Sequence, residues 1–185
     1  MKTFTINDIK LMNPCYCPSM HLPTNWKGTA LDILKMEKVE PEDRLWVVTR
    51  DGILSEKILR SFAVFCATQV EHLMSDDSKA SLEVMKCYVD NSFLIDDAYW
   101  CAAWELERMD AGKSTSWDVT VNDSRYGRWA ARAAWAATAT DAGAAAYAAG
   151  NSALVSSVNA PSAPTWVTVR DIQIKKLIEM IEETE

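Results

Sequence analysis

The sequence predicts an all-α protein: an irregular bundle of about seven helices behind an irregular, proline-containing N-terminal segment. Three observations predict it. Apolar residues recur at three- and four-residue steps in several segments. Ser, Thr, Asp or Pro stands where such segments begin. Thirteen of the twenty residues 130–149 are alanine, which has the best intrinsic helix propensity. Strand-like alternation of useful length is absent from the sequence. At 185 residues and 49% apolar, a single domain spanning 1–185 is expected. A chain of this size can bury a core without disulfides or metal.

Residues 1–28 read as irregular, because Pro14, Pro18, Pro23 and Gly28 punctuate them. Residues 29–112 read as five helices. Thr29 precedes Ala30-Leu31-Asp32, a helix start with a capping-box-like carboxylate. Pro41 opens the second helix, with Glu42 and Asp43 at the positive end of its dipole. Leu45, Trp46 and Val48 are its apolar residues, and Asp51-Gly52 ends it.

Ser55 caps the third helix. Ile58, Leu59, Phe62, Phe65, Cys66, Val70, Leu73 and Met74 give it the clearest stripe in the chain. Asp76 and Asp77 start the fourth, with Ala80, Val84, Cys87 and Tyr88 as its apolar face. Asp96 or Asp97 caps the fifth, where Trp100, Cys101, Trp104 and Leu106 face inward and Gly112 stops the run.

Residues 113–123 read as a loop. Ser124 caps an alanine- and tryptophan-rich helix over 124–150, in which Gly143 and Gly150 are candidate breaks. Asn151 to Pro164 reads as a loop with one optional helical turn at 153–158. Thr165 caps the last helix, 165–183. Trp166, Val169, Gln173, Leu177 and Ile181 share a face there, and the acidic tail is expected to fray.

Charge bounds the function classes. The chain carries −7 at pH 7, wrong for generic binding to duplex nucleic acid, which needs released counterions. Such a surface suits a basic partner, or solubility alone. Five cysteines, an odd number with three on apolar faces, read as reduced thiols. Met1 to Lys10 has no signal-peptide core, and no apolar run reaches the roughly 18 residues of a membrane span. A cytoplasmic protein without membrane contact is expected.

Catalytic patterns are weak. Cys15, Cys17 and His21 form a partial metal-ligand cluster, but zinc would need a fourth ligand. We expect plain thiols there and no cofactor. Cys66 sits on an apolar face, where a thiol is inert. Asp76-Asp77 and Asp96-Asp97 are explained by helix capping. An enzyme with a dispersed carboxylate or metal site stays open as an alternative, although a protein without catalysis is the main expectation.

Contact residues are easier to nominate. Arg125, Arg128 and Arg132 lie at i, i+3 and i+7 on one helical face, spaced to grip phosphate or carboxylate groups. A solvated face or an internal salt bridge would use the same spacing. Trp26 and Trp117 lie in irregular segments and are candidate interface anchors, with loop burial as the competing reading.

The stretches RSFAVFCATQVEHL (60–73), DDSKASLEV (76–84) and YVDN (88–91) resemble a helical immunity-protein family found in bacteria and phages. The resemblance extends through the Ala/Trp-rich run 128–149 and the closing QIKKLIEMI (173–181), and so covers roughly 58–150 plus the last helix. It rests on mid-helix patterns and carries no site residues over. It implies inhibition by binding in a bacterial host cell. Immunity proteins block toxins, often nucleases. Phage-borne acidic proteins of this size also include anti-CRISPR inhibitors of Cas9-type effectors. The expected partner is therefore a protein effector, a nuclease or a Cas9–guide RNA complex. Direct nucleic-acid contact is an option, and an immunity protein against a bacterial toxin is the alternative.

Overall fold

A computed structural model describes residues 2–14, 16–74, 76–90, 142–159 and 165–184. Seven α-helices and one small two-stranded sheet lie within them. The fold is the all-α bundle that the sequence predicts, although the seven helices are not the same seven. The expected helix over 96–112, the loop over 113–123 and the start of the Ala/Trp-rich helix lie outside the described residues.

The N-terminal segment is the first correction. It is built, not irregular. Strand β1 (Phe4–Thr5) leads into helix α1 (Ile6–Leu11). Thr5 caps α1 reciprocally: its hydroxyl accepts from the Asp8 amide at 3.3 Å, and the Asp8 carboxylate accepts from the Thr5 amide at 2.6 Å. Pro18 opens a 3-10 turn, Pro18–Met20, where its missing N–H costs nothing. Strand β2 (Lys27–Gly28) pairs antiparallel with β1, Phe4 opposite Gly28. Phe4, Ile6, Ile9 and Leu22 pin this unit to the core.

Helix α2 (Ala30–Leu34) begins with the capping box expected at Thr29 and Asp32. Helix α3 (Pro41–Val48) starts at Pro41 with Glu42 and Asp43 in its first turn. Gly52, at φ 73°, supplies the left-handed turn after it. Ser55 caps α4 (Glu56–Thr68), its hydroxyl accepting from the Ile58 amide at 3.3 Å. Ile58, Leu59, Phe62, Ala63, Cys66 and Ala67 are buried along α4.

Helix α5 (Asp76–Asp90) corrects the expected face. Among its described side chains Ser78, Leu82 and Met85 are fully buried, while of the expected face Val84 and Tyr88 are half-buried and Ala80 and Cys87 are exposed. Leu82 and Met85 have far more apolar surface to remove from water than alanine or cysteine. They decide which way the helix turns.

Helix α6 (Ala142–Asn159) is the second correction. It passes through Gly150 and reaches Asn159, so the stretch after 150 is helix and not loop. Gly150 does not break it. Ala146, Ala149, Gly150 and Ala153 are buried, and α6 packs on α4 more extensively than any other described pair of helices. Small side chains permit that close approach. Helix α7 (Trp166–Thr184) buries Val169, Gln173, Leu177 and Ile181 on the expected face. Trp166, the first member of that stripe, is instead 46% exposed. The tail does not fray before Thr184, and Glu182 pairs with Lys35 of α2 at 2.8 Å. Among the described residues no helix is long and apolar enough to cross a membrane.

Candidate interaction site

The four described arginines, Arg44, Arg50, Arg60 and Arg170, divide the polar chemistry of the molecule. Three of them are buried, at 8%, 3% and 2% exposure for Arg44, Arg60 and Arg170. A buried guanidinium must be paired to be tolerated.

Arg170 on α7 is the most fully paired. Its Nε donates to Glu42 Oε1 at 3.0 Å, its Nη1 to Gln173 Oε1 at 2.7 Å, and its Nη2 to Asn151 Oδ1. Gln173 passes the chain on, its amide donating to the Gly150 carbonyl at 2.9 Å. Trp166 Nε1 donates to the same Glu42 oxygen at 2.7 Å. One carboxylate from α3 and two side-chain amides thus tie α3, α6 and α7 together. Burial works to raise the Glu42 pKa, but the hydrogen bonds from Trp166 and Arg170 outweigh it and hold the carboxyl below its ordinary value.

Arg60 bonds Glu56 one turn back, through Nε and Nη2, both at 3.1 Å. Arg44 donates from Nη1 to the Leu34 carbonyl at 2.8 Å and so caps the end of α2. Its Nε is the one buried side-chain polar atom without a hydrogen-bond partner among the described residues.

Arg50 is different. It lies just beyond α3 and is half-exposed. Its guanidinium carbon sits 4.6 Å from the ring centre of Trp46 and 5.5 Å from that of Tyr147 on α6. Its Nε donates to the Trp46 carbonyl at 3.1 Å. Each cation–aromatic contact contributes about 0.5–1 kcal/mol at a part-exposed site. Trp46 and Tyr147 are themselves half-exposed. The three form a stacked cation at the junction of α3 and α6.

A separate cleft of about 430 Å³ lies between α4, α5 and α7. Ile58, Val89 and Met180 give it apolar surface, and Lys57, Lys176, Asp90 and Glu183 give it both signs of charge.

The residues nominated from sequence fare unevenly. Arg125, Arg128, Arg132 and Trp117 lie outside the described residues, as does Cys15. Trp26 is half-buried, with the Phe4 ring against it edge to face at 5.6 Å. It serves the N-terminal unit and is not a free anchor. Cys17 is exposed, and His21 is half-exposed with its ring 6.5 Å from that of Tyr16. Among the described residues no three His, Cys, Asp or Glu side chains gather around a common point where a metal could sit. Cys66 is fully buried, and burial drives its thiol well above the usual thiol range despite Arg170 nearby. Sequence reasoning missed Arg50. The i, i+4 spacing of Trp46 and Arg50 was a signal for it, but nothing in the sequence ties Tyr147 to them.

No family model matches this chain, and no curated protein or solved structure matches it either.

Proposed function

We propose that this chain is a non-enzymatic inhibitor that binds and blocks a nucleic-acid-directed effector, with phage counter-defence against a Cas9-type nuclease as the first reading. The disposition of charge carries the proposal. Three of the four described arginines are withdrawn into the protein, whereas Asp8, Asp32, Glu40, Asp90, Asp171 and Glu183 stay exposed. Seven described lysines are exposed as well, Lys2, Lys10, Lys27, Lys35, Lys38, Lys57 and Lys175, but exposed acids outnumber them, so a partner meets a surface of net negative charge. Proteins that handle nucleic acid carry basic surfaces, and opposite charge speeds encounter and fixes orientation.

The resemblance of residues 60–91 to immunity proteins supports inhibition by binding in general. It also favours a second reading, an immunity protein that neutralises a bacterial toxin.

The test is titration of the purified chain into a Cas9–guide RNA complex with target DNA. Cleavage should stop at equimolar protein, and the inhibition should weaken as salt is raised. Full cleavage at molar excess removes the first reading. Protection of cells from a nuclease toxin in that case would establish the second.

A further inference from the structure

We infer that the Nη edge of Arg50 is an anchor for a side-chain carboxylate of a protein partner. The inference deepens the reading of the chain as a binding protein and rests on it for the identity of the partner.

Arg50 alone among the described arginines is left part-exposed. Its Nε is committed to the Trp46 carbonyl. Among the described residues its Nη1 and Nη2 have no hydrogen-bond partner, and no carboxylate lies within ion-pair distance. The guanidinium group is held between Trp46 and Tyr147, its carbon 4.6 and 5.5 Å from the two ring centres. Much of the side-chain entropy that an exposed arginine loses on binding is therefore lost already on folding. What remains is a planar fork of N–H donors, whose spacing matches the two oxygens of a carboxylate. Arg, Trp and Tyr are also the residue types that dominate binding energy at protein interfaces.

A phosphate would fit the same fork, but the surroundings argue against nucleic acid. Tracking a phosphate backbone takes several cations whose counterions are released together. Here the cations at the turn are Arg50 and Lys2, whose ammonium is committed to the Gly52 carbonyl at 2.9 Å, and they stand beside the exposed Asp51 in a chain of net charge −7. A single carboxylate within an otherwise basic protein surface fits both facts. The net negative charge of the chain attracts such a surface, and Arg50 picks out its one acid.

The test uses the full chain with 15N-labelled arginine side chains. Its guanidinium signals are followed while a blocked tripeptide, acetyl-Ala-Glu-Ala-amide, is added at constant ionic strength. Inorganic phosphate and a short single-stranded oligonucleotide are titrated in parallel. The Arg50 signals should shift saturably with the peptide. Arg50→Lys, which keeps the charge and loses the fork, should raise the half-saturating concentration about tenfold, read for both proteins from the backbone amide signals of residues 46 and 50 in uniformly 15N-labelled protein, with the rest of the amide spectrum that of the folded wild type. Arg50 signals that ignore the peptide overturn the inference, as does tighter binding of the oligonucleotide. No effector is needed, so the result stands apart from the cleavage assay. If cleavage is inhibited equally by wild type and Arg50→Lys, the inference fails while the proposed function survives.

Discussion

The side-chain amide of Gln173 donates to the main-chain carbonyl of Gly150 at 2.9 Å, across 23 positions of chain. Gln173 is 1% exposed and also accepts from Arg170. Gln173→Leu keeps roughly the volume but removes both bonds, leaving a buried Arg170 N–H unpaired. We expect a loss of about 2–3 kcal/mol, since an orphaned buried donor costs its full desolvation. Urea denaturation reads this as a lower midpoint at unchanged slope. An unchanged midpoint would show that the Arg170 network contributes nothing to stability.

Three glycines should respond differently to alanine. A Cβ at Gly150 would meet Arg170, Gln173 and Cys66 atoms at 3.7–3.8 Å, which is ordinary contact. Gly150→Ala should therefore stabilise by up to about 1 kcal/mol through helix propensity. A Cβ at Gly28 would come within 2.6 Å of the Trp26 ring. Gly28→Ala should destabilise and loosen the N-terminal unit. Gly52→Ala should cost about 1 kcal/mol, because φ is 73° there. Thermal melts of the three variants check the order, and a destabilised Gly150→Ala would contradict it.

Acid should weaken the fold through Glu42. Its pKa lies below the ordinary 4.5. A carboxyl depressed in the folded state stabilises above its unfolded pKa and loses that contribution as pH falls through the folded value. Asp43 has the opposite sign. Burial raises its pKa, and Glu40 and Glu42 raise it further, against a lowering by His21. Its ionisation costs stability at neutral pH. Glu42→Gln should flatten the loss of stability below about pH 4.5, and Asp43→Asn should be more stable than wild type near pH 7, with a gain that fades on acidification. Melting temperatures down to about pH 3 distinguish the two effects. A Glu42→Gln curve parallel to wild type would remove Glu42 from this account.

Thiol labelling should separate the described cysteines. Cys17 and Cys87 are exposed, and Cys66 is buried with its pKa pushed up. An alkylating reagent at neutral pH should modify Cys17 and Cys87 in the native protein, and Cys66 only after denaturation. Peptide mass spectrometry reads the sites. Native labelling of Cys66 would mean that the contact between α4 and α6 opens readily.

Much of this fold was legible because local chemistry declared it. The caps at Thr29, Ser55 and Thr165 and the proline start at Pro41 all stand where the sequence places them. Thr5 and Asp8 carry the same Thr-x-x-Asp signature as Thr29 and Asp32, and three prolines nearby masked it. The expected α5 face followed the spacing of Ala80, Val84, Cys87 and Tyr88 and left out Leu82 and Met85, whose larger apolar surface sets the buried side. Gly150 looked like a stop because propensity alone was considered. Its cost of about 1 kcal/mol is small beside the packing it allows against α4. The Arg50 stack was half legible, since Trp46 and Arg50 are neighbours along the chain while Tyr147 arrives only through the fold.

The alanine-rich face of α6 has a further consequence. Methyl groups make a helix a smooth rod, with few ridges to stop it sliding along its neighbour. A shift by one turn would move it about 5.4 Å and exchange small side chains for one another along that face, with the fully buried Leu154 as the large side chain displaced. It would also pull the Gly150 carbonyl away from Gln173 and Asn151 away from Arg170. Those two hydrogen bonds act as a detent: with Leu154 they fix the axial position of a helix whose small side chains would resist sliding only weakly.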